Sequence, residues 1–255
     1  MLGPRTIKLT VAYDGTRFVG WQRQAEGESI QGLLEQALER LNGSPVMVSG
    51  AGRTDAGVHA LGQVASVALT CHHDVQTLTR AVNAQLPPDI RVRTVEDVPS
   101  DFHARFSARA KTYRYQLRDG GLASPFDRAF VWHLPETLDI PAMQAAAGVL
   151  VGTHDFGAFQ SVGTPVSTSV RTITRSEVTR VASASALCPP LLVYEVTGDG
   201  FLRHMVRAIV GTLVEVGRGR RDAATMSRLL AGALRSEAGA TAPPQGLFLV
   251  GVEYD

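Results

Sequence analysis

The stretch Gly50-Ala51-Gly52-Arg53-Thr54-Asp55-Ala56-Gly57-Val58-His59-Ala60 sets three glycines, an arginine, an aspartate and a histidine within eleven residues, between two β-like runs. Glycine lets backbone approach a ligand closely and accepts positive φ. A carboxylate held in such a loop beside a guanidinium stays ionised and aimed. The pattern suits a reactive aspartate at position 55, and it also suits a tight turn carrying a surface ion pair. A dinucleotide site fits poorly, although Gly50-x-Gly52 comes after a strand-like run. Asp55 stands where the third glycine belongs and would repel a pyrophosphate. The residues beyond the loop alternate like a strand, so no helix N-terminus receives the phosphate.

A second cluster, His103, Arg105, Arg109, Lys111, Arg114 and Arg118, is interleaved with Phe106, Tyr113 and Tyr115 and contains no acidic residue. Cations meet phosphates, and aromatic faces stack unpaired bases. On a strand Tyr113 and Tyr115 share one face with Lys111. The bland alternative is a strand with aromatic core residues on one side and solvated arginines on the other. A third cluster is Phe201-Leu202-Arg203-His204-Met205-Val206-Arg207. Read as helix, it places Arg203 and Arg207 one turn apart on one face. Arg203 would then sit in the first turn, where a cation is disfavoured, which points to a specific partner such as a buried carboxylate. Arg218, Arg220 and Arg221 extend the basic character beyond the helix end.

These clusters need elements to hold them. Thr6–Tyr13 alternates as a strand, and Ser29 caps a helix whose stripe is Ile30, Leu33, Leu34, Ala37, Leu38 and Leu41, ended by Asn42-Gly43. Pro45–Ser49 and Gln63–Leu69 read as strands, Val75–Leu86 as a helix ended by Pro87-Pro88, and Ile90–Val95 as a strand. The order is β-α-β-β-α-β, the split βαβ plan of ferredoxin-like and RRM-like domains. The second half offers strands Ala108–Leu117, Arg171–Val181, Leu191–Thr197 and Leu247–Val252, with helices Pro141–Val151, Phe201–Gly217 and one capped by Asp222 through Leu230. It repeats that order with insertions. Thr164–Ser169 and Ser183–Ser185 read as small-residue loops. The expected fold class is α+β, two βαββαβ halves around a central mixed, mainly antiparallel sheet with the active-site cleft between them. The expected domains are 1–104, carrying the aspartate loop, and 105–255, carrying the tyrosine strand and basic helix.

Bulk composition adds limits. With 25 basic and 24 acidic residues the net charge is +1, so no global field announces a nucleic-acid partner. Only Lys8 and Lys111 are lysine; every other cation is arginine, whose planar fork suits phosphate and base stacking. Two cysteines, Cys71 and Cys188, give neither a disulfide framework nor metal spacing, and adjacent Cys71-His72-His73 cannot readily converge on one ion. No metal is expected. No apolar run is long enough to span a bilayer and no charged-then-apolar leader opens the chain, so a cytoplasmic protein is expected.

Taken together, the three clusters resemble one family. Gly52-Arg53-Thr54-Asp55-Ala56-Gly57-Val58-His59-Ala60 is similar to the catalytic motif of the TruA family of tRNA pseudouridine synthases. Lys111-Thr112-Tyr113-Arg114-Tyr115 resembles its tyrosine motif and Phe201–Arg207 its basic helix motif. Tyr13-Asp14-Gly15 with Phe18-x-Gly20-Trp21-Gln22 resembles the family's opening, and Ala242-Pro243-Pro244-Gln245-Gly246-Leu247 its closing strand. The resemblance implies a pseudouridine synthase fold and conversion of uridine to pseudouridine at positions 38, 39 and 40 of the tRNA anticodon stem-loop. It implies a homodimer, with each RNA touching both subunits, and no cofactor. It implies Asp55 as nucleophile, Tyr113 stacking on the detached uracil and relaying a proton, and Arg203 paired with the Asp55 carboxylate. Arg53 would fill the space left by the flipped nucleotide. Gly52 and Thr54 would belong with Arg53 to the base-flipping, active-site loop, His59 would support that loop, and Leu247 would wall the base pocket. Lys111, Arg105, Arg109, Arg114, Arg207 and Arg220 are candidate substrate contacts. Attack at the ribose, attack at the base and abstraction of a sugar proton all stay open. Two rival readings are a non-catalytic tandem RRM-like RNA-binding protein and a metabolic enzyme with a carboxylate nucleophile.

Overall fold

Alternating apolar residues dictate the first sheet. The computed structural model describes residues 3–161, 163, 166–182, 190–222 and 224–255. Positions 164, 165 and 183–185 of the two small-residue loops, and Cys188, lie outside them. The chain divides into two compact units, Met1–Arg109 with Phe248–Asp255, and Ala110–Leu247.

In the first unit β1 (Arg5–Tyr13) buries every second side chain, Ile7, Leu9, Val11 and Tyr13. It pairs antiparallel with β3 (His59–Leu69), Leu9 opposite Ala65, and with β4 (Ile90–Val98), Leu9 opposite Val95. The two-residue β2 (Ser49–Gly50) pairs with β3. The order β4-β1-β3-β2 fits the split βαβ plan. On the same edge of β3 as β2, further toward its start, runs β10 (Leu247–Glu253), parallel to it, with Phe248 opposite His59.

Two helices cover this sheet, and their caps explain their limits. In α1 (Ile30–Asn42) the Ser29 hydroxyl accepts the Gly32 N–H at 3.2 Å, and Gly43 closes the helix at φ 73°. In α2 (Val75–Gln85) the Asp74 carboxylate accepts the Gln76 and Thr77 N–H groups at 3.0 and 2.9 Å. Those bonds hold the Asp74 carboxyl below the usual range. Ile30, Leu34, Leu38, Leu78 and Val82 are completely buried. A smaller cluster, Ala51, Val64 and Ala104 with Phe102, Val252 and Tyr254, forms a second core.

The second unit is built on β5 (Ala110–Asp119), which pairs with β9 (Leu191–Gly198), then β8 (Val170–Val181), then β7 (Gly152–Asp155). A short β6 (Trp132–Leu134) runs parallel along the end of β5. The helix α3 (Ile140–Gly148) is capped by Asp139 and packs on β8 and on α4 (Met205–Gly217), whose residues are buried almost all round. A shorter α5 (Ala224–Leu230) comes next, with the Asp222 carboxylate accepting the Thr225 hydroxyl at 2.9 Å. Both units are α+β.

Three expectations need correction. Of the strand expected over Pro45–Ser49 only Ser49 is strand, in β2, because Val48 commits its backbone groups to α1. Its N–H donates to Glu35 Oε1 and its carbonyl accepts Gln31 Nε2–H, both at 3.0 Å. The strand expected from Gln63 begins four residues earlier, at His59. The last long helix begins at Met205 rather than Phe201, because His204 adopts the left-handed conformation at φ 64°.

Within β5 the side chains of Tyr113, Tyr115 and Leu117 are buried on one face. The Tyr115 hydroxyl donates to the Pro243 carbonyl at 2.7 Å, and burial pushes its pKa far up, with Arg207 opposing. Tyr115→Phe would strand that carbonyl, so a loss of about 1–3 kcal/mol is expected in denaturant melts at neutral pH. The sign of the pH effect comes from the raised folded value. Wild-type protein keeps this contribution below the ordinary tyrosine pKa of about 10 and loses it as pH rises further. The deficit of the variant should therefore narrow above about pH 10.

Candidate active site

Each end of the Asp55 loop is tied to the body of the first unit. Gly50 has no room for a side chain, since a Cβ there would sit 2.4 Å from the Trp21 ring. The Ala51 N–H donates to the Val64 carbonyl at 2.8 Å, and the Gly52 carbonyl accepts Gln63 Nε2–H at 2.8 Å. Thr54 is held twice. Its hydroxyl meets the Tyr13 hydroxyl at 2.8 Å, and its carbonyl accepts the Trp21 N–H at 3.0 Å. The Asp55 carbonyl accepts the Val58 N–H at 3.1 Å, closing a turn in which Gly57 takes φ 76°. Both peptide planes flanking Asp55 are thus fixed. The Asp55 side chain is half-buried, while Arg53 is exposed.

The opening segment supports this loop from below. Gly15 lies so close that a Cβ would fall 2.0 Å from the Val58 carbonyl oxygen, and Gly20, at φ 107°, would clash with Thr54 O at 2.6 Å. His59 is buried and stacks on Phe248 at 4.7 Å between ring centroids. The Gly15 N–H donates to His59 Nδ1 at 3.0 Å. That nitrogen is therefore an acceptor, and Asp14 Oδ1, 3.2 Å away, is a close neighbour rather than a salt-bridge partner. Burial pushes the Tyr13 hydroxyl up to about 12, with its bonds to Thr54 and Gln63 opposing, so it stays a neutral donor.

In the second unit Tyr113 is buried and meets the Phe201 ring edge-on at 5.0 Å. Arg203 precedes the cap of α4 and is exposed. Its carbonyl accepts the Ser161 N–H at 3.1 Å, while the Ser161 hydroxyl meets His204 Nδ1 at 2.5 Å. Arg203 and Arg207 therefore do not share a helical face, and the inference from an unfavourable first-turn cation loses its basis. The left-handed His204 stores strain of order 1–3 kcal/mol, which Ser161 and the α4 packing hold in place.

The remaining candidates are spread out. Arg207 Nε–H donates to the Ala242 carbonyl at 2.7 Å. Arg114 is forked onto Glu195 at 2.8 and 3.0 Å, and Arg220 lies 3.5 Å from Glu215. Arg109 pairs with Asp255, and Arg105 rests over the exposed Phe106 ring at 5.6 Å. Lys111 is half-buried at the start of β5, and Leu247 is buried where β10 begins. Arg118, in the basic run, is buried against Asp127 and belongs to the core. Residues that carry the loop but had no sequence role are Tyr13, Trp21 and Gln63. Tyr13 and Trp21 lie in the opening segment, which resembled a family motif without suggesting what it does. Among the described residues no group of His, Cys, Asp and Glu could hold a metal ion, and no helix is long and apolar enough to cross a membrane.

An α+β chain with a preorganised aspartate loop falls, by comparison with known proteins, among the isomerases that make pseudouridine. More narrowly, it belongs to the tRNA pseudouridine synthase family, which it matches over residues 9–107 and 146–255. It is 47% identical over 253 residues to tRNA pseudouridine synthase A of Solidesulfovibrio magneticus, covering 97% of this chain and 90% of that protein. The enzyme of the same name from Syntrophotalea carbinolica is 45% identical over 249 residues, covering 97% and 96%. That of Solibacter usitatus is 46% identical over 253 residues, covering 98% and 100%.

Proposed function

We propose that this chain isomerises uridine to pseudouridine in the anticodon stem-loop of tRNA, at positions 38, 39 and 40, with Asp55 as the reacting carboxylate. The observation that carries this reading is the fixing of both Asp55 peptide planes by Thr54 O and Asp55 O within a family-matching loop. A reacting group held at a set angle gains rate through orientation.

The reaction balances without an outside reagent. The bond from ribose C1′ to uracil N1 breaks and a bond from C1′ to C5 forms. The proton on C5 leaves, and N1 takes one up. Attack by Asp55 at the ribose, attack at the base and abstraction of a sugar proton each satisfy this balance. Tyr113 would stack on the detached base and carry the C5 proton away. Arg203 would balance the Asp55 charge, and Arg53 would fill the gap left by the flipped nucleotide, lowering the cost of unstacking. Leu247 would wall the base apolarly. Lys111, Arg105, Arg109, Arg114, Arg207 and Arg220 are the phosphate candidates, with Arg114 and Arg220 having to leave Glu195 and Glu215 first. The working form would be a cytoplasmic homodimer that needs no cofactor.

Tritium release from tRNA labelled at uridine C5 tests the reading, because a carbon–carbon bond at C5 must expel that hydrogen. Wild-type protein should release it in proportion to pseudouridine formed. Tyr113→Phe keeps the ring and removes the proton relay, so turnover should fall about tenfold to a thousandfold with RNA binding kept. Unchanged turnover would leave Tyr113 as a stacking surface alone. The tandem RNA-binding alternative needs stacking aromatics on the exposed side of its central strands. The residues that alternate with the buried set on β1 are Thr6, Lys8, Thr10 and Ala12.

A further inference from the structure

The loop carries a second layer of polar groups beneath the reacting carboxylate. Tyr13, Thr54 and Gln63 are all buried, at 5%, 6% and 0% exposure, and their side chains form one connected set. The Gln63 amide nitrogen has two hydrogens, one directed at the Gly52 carbonyl at 2.8 Å and one at the Tyr13 hydroxyl at 3.5 Å. Rotating that amide would bring two oxygens together at Gly52, so its orientation is fixed. Tyr13, accepting from Gln63, has its own hydrogen to give to Thr54 Oγ1 at 2.8 Å. The set thus grips the loop on both sides of Arg53, at Gly52 and at Thr54, immediately before Asp55.

Packing alone does not account for this arrangement. A valine at 54 and a phenylalanine at 13 would fill the same space without the penalty of burying hydroxyls. Apart from Gln63 Oε1, which is buried without a hydrogen-bond partner, these groups bond to one another and to the loop, and such directional bonds fix one geometry where apolar contacts permit several. The group whose geometry they fix is the one proposed to react. We infer that the Tyr13 and Thr54 hydroxyls, braced by the Gln63 amide, form a positioning network that sets the Asp55 carboxylate for turnover without contributing to RNA affinity. This rests on Asp55 being the reacting group. Tyr13, Thr54 and Gln63 are positioning residues, since they act through Asp55.

The test measures kcat and KM by C5-tritium release, with tRNA affinity by filter binding, on full-length variants. Tyr13→Phe and Thr54→Val should each lower kcat about tenfold to a hundredfold, because a displacement near 1 Å at a reacting group costs about that much. KM and RNA affinity should stay within about twofold. Thr54→Ser, which keeps the hydroxyl, should restore most of kcat. Tyr13→Phe alone leaves the Thr54 hydroxyl buried without its partner and is at risk of misfolding. The double variant Tyr13→Phe/Thr54→Val removes both hydroxyls, so neither is orphaned, and only the long 3.5 Å contact of the second Gln63 amide hydrogen loses its acceptor. Its kcat should match that of the single variants rather than the product of their losses, because one shared bond is removed. Wild-type kcat in the double variant, or a loss seen equally in RNA affinity, would overturn the inference. Asp55→Asn run alongside separates the two levels. An active Asp55→Asn enzyme sinks the proposed function, whereas an inactive one beside a fully active double variant sinks the positioning network alone.

Discussion

Asp55→Asn is expected to release no tritium from C5-labelled tRNA while binding that tRNA as the wild type does. Asparagine matches aspartate in size and removes only the charge and the nucleophilic oxygen. Two contacts that shape the loop are made by backbone carbonyls, with Thr54 O taking the Trp21 N–H and Asp55 O taking the Val58 N–H. Neither needs the carboxylate, so the loop should keep its path. Loss of a covalent nucleophile, or of a carboxylate base, removes an interaction that exists only on the way to the transition state. It should therefore appear in kcat, by more than about a thousandfold, with KM little changed. Asp55→Ala should behave alike, which guards against slow hydrolysis of an asparagine back to aspartate. The reading fails if either variant turns over at wild-type rate. A parallel collapse of RNA affinity would move Asp55 from chemistry to binding. Because the C5 hydrogen is read directly, slow product release cannot mimic the result in a single-turnover experiment.

The range of the interactions involved decides which features the sequence disclosed and which it hid. Caps and periodicity are local, so Ser29 marks its helix and Gly43 ends it in the left-handed turn that its residue type suits. Alternation is equally local, and it accounts for the burial of Ile7, Leu9, Val11 and Tyr13. The glycine-rich loop was legible because Gly52–Ala60 is contiguous in sequence and resembles a family motif. The failures have long-range causes. Val48 looks like a strand residue, yet its backbone is claimed by Gln31 and Glu35 from a neighbouring helix. Leu202, Met205 and Val206 carry a faultless helical stripe, so nothing local announces that His204 turns left-handed against Ser161, 43 positions away. The short strands β6 and β7, three and four residues long, have no alternation to betray them and exist through pairing with β5 and β8. Tyr13 was placed on a strand, but a strand assignment says nothing of which hydroxyl its own will find 41 residues later.

Gly20 exposes the long-range support of the loop to mutation, and Gly20→Ala is expected to damage stability and turnover together. Two separate costs meet there. The backbone sits at φ 107°, outside the range L residues adopt freely, which costs about 1–2 kcal/mol. A new Cβ would also lie 2.6 Å from the Thr54 carbonyl oxygen and 3.1 Å from Asp55 C, atoms of the backbone that cannot swing aside as a side chain would. Relieving that overlap costs about 1–3 kcal/mol more and pushes the Thr54–Asp55 peptide away from Trp21. For a chain of this size the sum should lower Tm by on the order of 10 °C. At 25 °C the surviving folded enzyme should still lose kcat by about tenfold or more, because the peptide that moves is the one that sets Asp55. Gly43→Ala isolates the first cost. Gly43 also has positive φ, at 73°, but nothing lies within 4 Å of its would-be Cβ, and it stands at the far end of α1. That variant should lose about 1–2 kcal/mol in thermal melts and keep its kcat. If Gly20→Ala matched Gly43→Ala in both measurements, the backbone contact to Thr54 would not be what orders the loop. If it lost Tm but kept kcat, the loop would be shown to tolerate displacement, and rigid placement of Asp55 would no longer explain the rate.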